Sequence, residues 1–379
     1  MTGNHAGRTG ARRLRTAAGI LAFVLVAALT QAVPAEAAVL KCGDSIVSGR
    51  PLTVTLDNDL NCPSGYALTM NSDNAFLVTL DLAGHTVAGG ILVYTPSRVL
   101  VKNGRLSGLT ASESTTVTLT DVRGVKLTVR NRATVTANGT PSTCEIDSIH
   151  LTQARLTADD CTLHGGTFYQ GVPTVRSSVV SNGSLSFTES SDGLFTGNVF
   201  DNAPVSVGWE SVDFTFRNNV FKNAGTALVM GGISRGPWSS GTVENNEFND
   251  NSIGMRAGPY FDTMTVRNNT FARNTTVGLY IDNRVTPRQS YPVSDNVFLD
   301  NGQAPSGATD RWGNPLQGGL HVVNSSEENG PPYSPRITLT RNTGSGNADY
   351  LIWAPSRDVI DGGGNQGPCK PGDVDLICF

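Results

Sequence analysis

Five short phrases recur between residues 197 and 301: GNVFDN (197–202), NNVFKN (218–223), NNEFND (245–250), NNTFAR (268–273) and DNVFLD (295–300). Each carries an asparagine followed two residues later by a phenylalanine, and the spacings between copies are 21, 27, 23 and 27 residues. A repeat of that length cannot bury its own apolar side, so it must stack on its neighbours. The asparagines are Asn198, Asn219, Asn246, Asn269 and Asn296, and the phenylalanines are Phe200, Phe221, Phe248, Phe271 and Phe298.

One copy can be read as a complete coil of a solenoid. A strand at Met264–Arg267 ends at Asn268-Asn269, a second short strand carries Phe271, and a third strand at Gly278–Ile281 follows a turn. Asparagine tolerates the left-handed backbone of a corner, and its side-chain amide can bond the coils above and below. We expect the phenylalanines to stack in register inside.

The rest of the chain predicts an all-β fold. Glycine, asparagine, serine, threonine and valine dominate, and runs with a helical period are absent after the first 37 residues. Short alternating segments bounded by turn residues indicate strands. These segments are Leu52–Leu56, Phe76–Leu80, Val99–Lys102, Thr116–Thr120 and Lys126–Val129.

The N-x-F phrases, together with TLDLAGHTV at residues 79–87, resemble the parallel β-helix (PbH1) repeats of the pectin-lyase-like superfamily. The resemblance covers residues 47–353 and implies a right-handed parallel β-helix with three-strand coils. It does not fix the activity, because that superfamily includes lyases, hydrolases, epimerases, phage tailspikes and proteins without catalysis.

The first 37 residues have the pattern of a removed signal peptide. Four arginines precede an apolar run at Ala17–Leu29, and small residues follow at Ala35-Glu36-Ala37. The run is short for a membrane span, which predicts a secreted protein with no stable membrane anchor. We expect a β-helix with an N-terminal cap at residues 38–368 and a C-terminal tail at residues 369–379.

Charge argues against a nucleic-acid partner. The formal charge of the whole chain is −4, and it becomes −7 without the leader, which holds four arginines and one glutamate. Binding to phosphate backbones needs a basic surface, so an acidic exported chain is a poor candidate.

Six cysteines lie beyond the leader and favour an oxidising compartment. Six cysteines allow fifteen pairings, and local spacing suggests Cys42 with Cys62, Cys144 with Cys161, and Cys369 with Cys378. The first and last pairs would tie the two ends of the solenoid. No C-x-x-C pair exists and the histidines do not cluster with the cysteines, so no metal site and no cofactor are expected.

The resemblance implies that ligands bind on the outward face of the strand after the phenylalanine corner. On that strand the first and third positions are apolar and the middle one points outward. Aligning the copies gives one outward column. Its members are Ser206, Val229, Arg256, Tyr280, His321 and Ile352.

Three neighbours in this column form a candidate catalytic group. Arg256 could hold a sugar carboxylate, His321 could accept a proton and Tyr280 could donate one. Such a trio suits β-elimination or epimerisation next to a uronate carboxylate. Asp282 lies on the same face.

Two insertions flank His321, at residues 302–317 and 325–335, and loops of this length are often functional. They could wall a groove in which aromatic side chains stack on sugar rings and arginines add positive charge. The candidate substrate-binding residues are Asp282, Arg284, Trp238, Trp312 and Arg311.

The sequence therefore predicts a secreted β-helix protein that binds a polysaccharide or cell-surface glycan, acidic in our interpretation, with lyase or epimerase chemistry if it is an enzyme. The alternative is a non-catalytic extracellular scaffold or adhesin-like repeat protein. The acidic ligands of calcium-dependent pectate lyases are absent from the groove strand, as are the several carboxylates of the hydrolases.

Overall fold

The structure is a computed structural model of the 379-residue chain. The residues it describes are 36–73, 76–189, 191–208, 213–231, 240–258, 263–283, 291–310, 312–324, 337–354 and 359–367. Of the residues singled out above, Trp238, Arg284, Arg311, Cys369 and Cys378 lie outside these ranges.

Regular structure in the described ranges consists of β-strands, in chain order: β1 Glu36–Ala38, β2 Asp44–Ser48, β3 Leu52–Leu56, β4 Leu60–Asn61, β5 Leu68–Ser72, β6 Leu77–Asp81, β7 Thr86–Ala88, β8 Ile91–Val93, β9 Arg98–Leu106, β10 Gly108–Ala111, β11 Thr116–Arg123, β12 Val125–Arg130, β13 Thr134–Asn138, β14 Glu145–Thr152, β15 Arg155–Asp159, β16 Thr162–Leu163, β17 Gly166–Tyr169, β18 Val172–Arg176, β19 Val179–Ser181, β20 Leu185–Thr188, β21 Gly193–Thr196, β22 Val199–Asp201, β23 Val205–Val207, β24 Asp213–Arg217, β25 Val220–Lys222, β26 Thr226–Met230, β27 Ser240–Glu244, β28 Glu247–Asn249, β29 Ile253–Ala257, β30 Thr263–Arg267, β31 Thr270–Ala272, β32 Val277–Asn283, β33 Tyr291–Ser294, β34 Val297–Leu299, β35 Gly318–Asn324, β36 Ile337–Thr340, β37 Thr343–Ser345, β38 Ile352–Trp353 and β39 Val359–Asp361. No helix that could span a membrane is found in this part of the chain.

In the repeat region each coil contributes one strand to each of three parallel sheets. The first sheet contains β21, β24, β27, β30, β33, β36 and β39. The second contains β22, β25, β28, β31, β34 and β37, and the third contains β20, β23, β26, β29, β32, β35 and β38. Every such pairing is parallel, so the chain is a solenoid, as the spacing of the repeats predicts.

The predicted phenylalanine stack is confirmed and runs through the second sheet. Phe200, Phe221, Phe248, Phe271 and Phe298 are fully buried, with ring centroids 4.4 to 5.0 Å apart and rings nearly parallel. Each ring covers the next, which buries the apolar side that a single coil would leave exposed.

The predicted asparagine ladder is also confirmed. The side-chain amide nitrogen of Asn219 donates to Oδ1 of Asn246 (3.0 Å), and Asn246 repeats this bond to Asn269 (3.0 Å). Each ladder amide also donates to a backbone carbonyl, such as that of Phe216 (3.0 Å). A second ladder at the next corner links Asn251, Asn274, Asn301 and Asn347 in the same way.

The left-handed backbone lies one residue earlier than the ladder. Asn218, Asn245 and Asn268 have φ near +55°, whereas the ladder asparagines that follow them do not have positive φ. The Asn-Asn pair therefore divides two tasks: the first residue turns the chain, and the second binds the neighbouring coils.

Two of the three predicted disulfides are confirmed. Cys42 bonds Cys62, and Cys144 bonds Cys161, closing sequence separations of 20 and 17 residues. The domain limits at residues 37 and 368 remain predictions.

Candidate functional site

The third sheet carries the outward column in the predicted register. Arg256 pairs with Tyr280, and Tyr280 pairs with His321, on adjacent strands β29, β32 and β35. Consecutive strands of a sheet are about 4.8 Å apart, so the three side chains lie along one line. We call Arg256, Tyr280, Asp282, Asp310, Trp312, His321 and Trp353 the ladder site.

The last position of the column is Trp353, and the expectation of Ile352 is wrong. His321 pairs with Trp353, while Ile352 pairs with Leu320 and is fully buried in the core. The strand β38 is displaced by one residue from the alignment, and a displacement by one residue exchanges the two faces of a strand.

Arg256 is the exposed member of the trio. Its guanidinium carbon lies 5.5 Å from the centre of the Tyr280 ring, which is within the range of a cation–π contact. Its Nη2 lies 3.8 Å from Oδ2 of Asp282, and the arginine side chain is 45% exposed while that of Asp282 is 2% exposed. The aromatic ring and the carboxylate together orient a cation toward solvent.

The expectation of an open stripe is wrong at Tyr280 and His321, which are 3% and 0% exposed. The covering loop, residues 302–317 and described apart from residue 311, folds back over the column. Leu316 packs there with Val277, Tyr280 and Val323 in a small second hydrophobic cluster. Sequence alone could place the insertion beside His321 but not the direction in which it folds.

A buried ion pair or hydrogen bond joins the covering loop to the column. Nε2 of His321 lies 3.1 Å from Oδ2 of Asp310, and both side chains are fully buried. Asp310 also accepts bonds from the backbone nitrogen atoms of Trp312 (2.8 Å) and Asn314 (2.9 Å). The acidic partner of His321 was not identified from sequence, although its position in the flanking insertion was a usable signal.

Burial and hydrogen bonding set the protonation of this pair. Desolvation lowers the pKa of His321 from its ordinary value, and the hydrogen bond to Asp310 only partly opposes this. Burial raises the pKa of Asp310, but hydrogen bonds from His321, Asn314 and Trp312 outweigh it and lower the pKa overall. A neutral imidazole next to an ionised carboxylate is the favoured state at neutral pH.

With Nε2 facing Asp310, the other ring nitrogen of His321 is the acceptor of the neutral imidazole. This Nδ1 is buried and has no hydrogen-bond partner in the described part of the chain. The ring stacks on Trp353, with centroids 4.2 Å apart and planes 14° apart, and meets Tyr280 edge-on at 5.7 Å.

Trp312 lies on the covering loop with its side chain at the surface, 47% exposed. Its backbone nitrogen donates to Asp310, whose carboxylate also contacts His321, so the covering loop holds Trp312 close in sequence to the buried pair. Asp282 lies beside Arg256 as the alternation of strand residues predicts. The other three substrate-binding candidates fall outside the described residues.

A second charged column is structural. Glu244 pairs in register with Arg217 and Arg267 and forms ion pairs with both, that with Arg267 at 2.6 Å. Burial raises the pKa of Glu244, but the two arginines outweigh it and lower the pKa. Both guanidinium groups are therefore paired, and among the described residues this column offers a ligand no unpaired arginine.

A shallow groove of about 490 Å³ lies elsewhere, lined by Arg132, Gln153, Arg155 and Gln170 among others. Neither arginine forms an ion pair with any residue that the structure describes. Sequence reasoning did not identify this groove, because its residues come from three coils without an Asn-x-Phe phrase to fix their register.

Comparison with known proteins agrees with the fold. Residues 210–361 match the family model described as right-handed beta helix region, in agreement with the parallel solenoid described above. No curated protein sequence matches the chain.

Several solved structures are similar at low identity. A double mutant of the periplasmic alginate epimerase AlgG is 10% identical, with 84% of this chain and 77% of that chain covered and a TM-score of 0.43. The A-module of mannuronan C-5 epimerase AlgE4 from Azotobacter vinelandii is 11% identical, with 85% and 91% covered and a TM-score of 0.41. The catalytic domain of a GH87 α-1,3-glucanase is 11% identical, with 86% and 63% covered and a TM-score of 0.22.

Proposed function

We propose that this protein is an exported β-helix protein that binds an acidic polysaccharide at the ladder site. The observation that carries the proposal is the placement of Arg256, an exposed guanidinium held over the ring of Tyr280 and beside the carboxylate of Asp282. An arginine oriented in this way can bind a sugar carboxylate through two parallel hydrogen bonds.

Trp312 supports a sugar as the ligand. Its exposed indole offers a flat apolar face with a polar edge, which suits the alternating apolar and polar surfaces of a sugar ring. Arg256 and Trp312 would supply carboxylate pairing and ring stacking, the two kinds of contact that a uronate polymer offers.

Export is the second part of the proposal. The basic and apolar leader has the pattern of a signal peptide, and the disulfides Cys42–Cys62 and Cys144–Cys161 are of the kind that persist in oxidising compartments. We expect the exported chain to begin near Ala38, which N-terminal sequencing of protein collected outside the cytoplasm would test.

Isothermal titration with alginate, pectate and neutral dextran tests the binding site. The Arg256→Ala variant should bind the two polyuronates at least about tenfold more weakly, since a charge-assisted contact contributes roughly 1.5 to 3 kcal/mol. Arg176→Ala is the matched control, because Arg176 is similarly exposed (50%) and also lies beside a carboxylate, Asp159 at 3.5 Å, but is outside the ladder site. Equal binding of dextran, or unchanged affinity in the Arg256 variant, would contradict the proposal.

The groove at Arg132 and Arg155 must be tested as a competing binding location in the same titration. Both arginines are exposed and without carboxylate partners among the described residues, so they are the strongest competing location for an anionic polymer. If an Arg132→Ala/Arg155→Ala variant loses polyuronate binding and the Arg256 variant keeps it, the ladder site is the wrong location.

Elimination or epimerisation by Arg256, Tyr280 and His321 is a second candidate function. One observation favours it: burial lowers the pKa of His321, so the imidazole is neutral and Nδ1 is able to accept a proton. Since His321 is fully buried, the covering loop would have to move before a sugar could reach it.

Ultraviolet absorbance of a new carbon–carbon double bond would detect elimination, and proton NMR of the polymer would detect epimerisation. We expect His321→Gln to abolish either reaction while polyuronate binding persists. Binding by the wild-type protein without either product would leave the binding function and remove the catalytic one.

A further inference from the structure

Three potential metal ligands meet on the outward face of two adjacent coils, far along the chain from the ladder site. Glu145 and Asp147 lie on β14, and His164 follows β16, which pairs with β14 through Glu145 and Thr162. One ligand atom from each of the three side chains lies within 4.8 Å of the others. The disulfide Cys144–Cys161 joins the same two coils one residue from Glu145 and three from His164.

The orientation of His164 turns one ring nitrogen toward the carboxylates. Its Nδ1 lies 3.1 Å from the carbonyl oxygen of Ser181, which can only accept, and 3.4 Å from the hydroxyl of the same residue, so the tautomer with the hydrogen on Nδ1 satisfies the carbonyl. In the neutral ring the lone pair is then on Nε2, which faces Oε1 of Glu145 at 3.3 Å. A histidine whose other nitrogen donates to a backbone carbonyl has the arrangement common to metal-bound histidines.

Asp147 brings a second carboxylate, which forms no ion pair with any described residue. Ile146 pairs with Val125 and Ser148 pairs with Lys126, so Asp147 is the extra residue of a β-bulge. Bulges redirect side chains and are common beside functional sites. The carboxylate has no hydrogen bond and no ion pair with any described residue.

We propose that Glu145, Asp147 and His164 bind a divalent zinc ion. Zinc takes nitrogen and oxygen ligands at about 2.0 to 2.1 Å, so two ligands at a tetrahedral angle are about 3.4 Å apart. The Nε2–Oε1 distance of 3.3 Å matches this separation, and Asp147 offers a third ligand atom within 4.8 Å of one from each of the other two residues. The imidazole nitrogen favours zinc over calcium, which prefers six to eight oxygen atoms.

Three protein ligands leave the fourth zinc position open to water or to an anionic group of a ligand. The spacing of cysteines and histidines predicts no metal site, and these two carboxylates and the histidine come together only because β14 and β16 pair in the fold. The site is independent of the polysaccharide proposal, because it shares no residue with the ladder site.

Isothermal titration of tag-free mature protein with zinc chloride, after treatment with a chelator, tests the site. We expect one zinc ion per chain, a thermal midpoint that rises with added zinc, and no comparable effect of calcium chloride. His164→Ala and Asp147→Asn should each weaken zinc binding at least about tenfold. Asp147→Asn is nearly isosteric at a side chain without other partners, so it keeps the test valid if His164→Ala fails to fold.

His85→Ala is the matched control, because His85 pairs with Asp59 at 3.1 Å but has no third ligand among the described residues. This variant should bind zinc as the wild type does. Absence of zinc binding, or equal binding by the Asp147 and His164 variants, would overturn the proposal and leave His164 and Glu145 as a simple ion pair.

Discussion

At the residue scale, Asn246 shows how many buried hydrogen bonds depend on one ladder side chain. Its Oδ1 accepts bonds from the backbone and side-chain nitrogens of Asn219 (2.9 and 3.0 Å), and its Nδ2 donates to Phe216 and Asn269 (3.0 Å each). Asn246→Ala leaves these buried groups without partners, so we expect the free energy of unfolding to fall by about 2 to 4 kcal/mol. Urea denaturation followed by circular dichroism would measure it.

Asn249→Ala is the control for the ladder. Asn249 lies on the neighbouring strand, but its side chain donates only to the exposed carboxylate of Glu247 at 3.1 Å. Its loss should change the unfolding free energy by no more than about 0.5 kcal/mol. Similar losses in both variants would mean that the ladder bonds contribute little beyond ordinary polar contacts.

His321 should make the covering loop sensitive to acid. Its pKa in the folded state is lowered, so between pH 6.5 and that lowered value the unfolded or open state binds more protons than the folded state. The contribution of His321 to the free energy of unfolding is therefore at its full value above about pH 6.5 and decreases as the pH falls below it. Asp310, whose pKa is also lowered, adds a further loss below its ordinary value of 3.8.

Hydrogen exchange of residues 302–317, expressed as protection factors, would detect this opening. We expect protection at Leu316, whose backbone nitrogen donates to Ala308, to decrease between pH 7 and pH 5 in the wild type. His321→Phe keeps an aromatic ring against Trp353 and should remove the pH dependence. If the variant retains it, the titrating group is a different one.

At this scale, the contacts that the sequence could predict are those made by residues repeated in every coil. The amide of Asn246 and the ring of Phe248 are repeated in every copy, so their stacking followed from spacing alone. The contacts of His321 with Asp310 and Trp353 join residues from an insertion and from a displaced strand, and no repeat fixes their register. Burial by a non-repeating loop is a tertiary property that the alternation of a strand does not encode.

At the element scale, the strands match the predicted positions closely. The predicted Leu52–Leu56 is β3 without change, and the predicted Gly278–Ile281 lies inside β32. Alternation is a direct consequence of burying one face, so it marks strands well. Alternation indicates the corners poorly, because the residue that fits at a corner depends on how closely the neighbouring coils approach.

Gly278, the second residue of β32, lies beside such a corner. A Cβ at this position would lie 2.8 Å from the carbonyl oxygen of Gly319 and 3.0 Å from atoms of Phe271 and Phe298. Gly278→Ala would therefore push adjacent coils apart, and we expect it to lower the free energy of unfolding by about 1 to 3 kcal/mol. Chemical denaturation would measure the loss.

Gly225→Ala serves as the control for this substitution. Gly225 has no atom within 4 Å of its added Cβ and its φ is not positive, so alanine fits without strain. We expect its unfolding free energy to be unchanged or slightly higher. A loss equal to that of Gly278→Ala would show that the close approach of the coils is not the cause of the destabilisation.

At the scale of the whole molecule, coils contact mainly their neighbours, so damage should remain local. The disulfide Cys42–Cys62 lies in the first coils and closes a loop with a sequence separation of 20 residues. Cys42→Ser/Cys62→Ser should destabilise those coils by about 3 kcal/mol in the chain-entropy account. Hydrogen exchange should accelerate in β2 to β5, while β22 to β34, which hold the phenylalanine stack, keep their protection. Uniform loss of protection would instead mean that the solenoid unfolds as one cooperative unit, in which case binding at the ladder site would also depend on this distant disulfide.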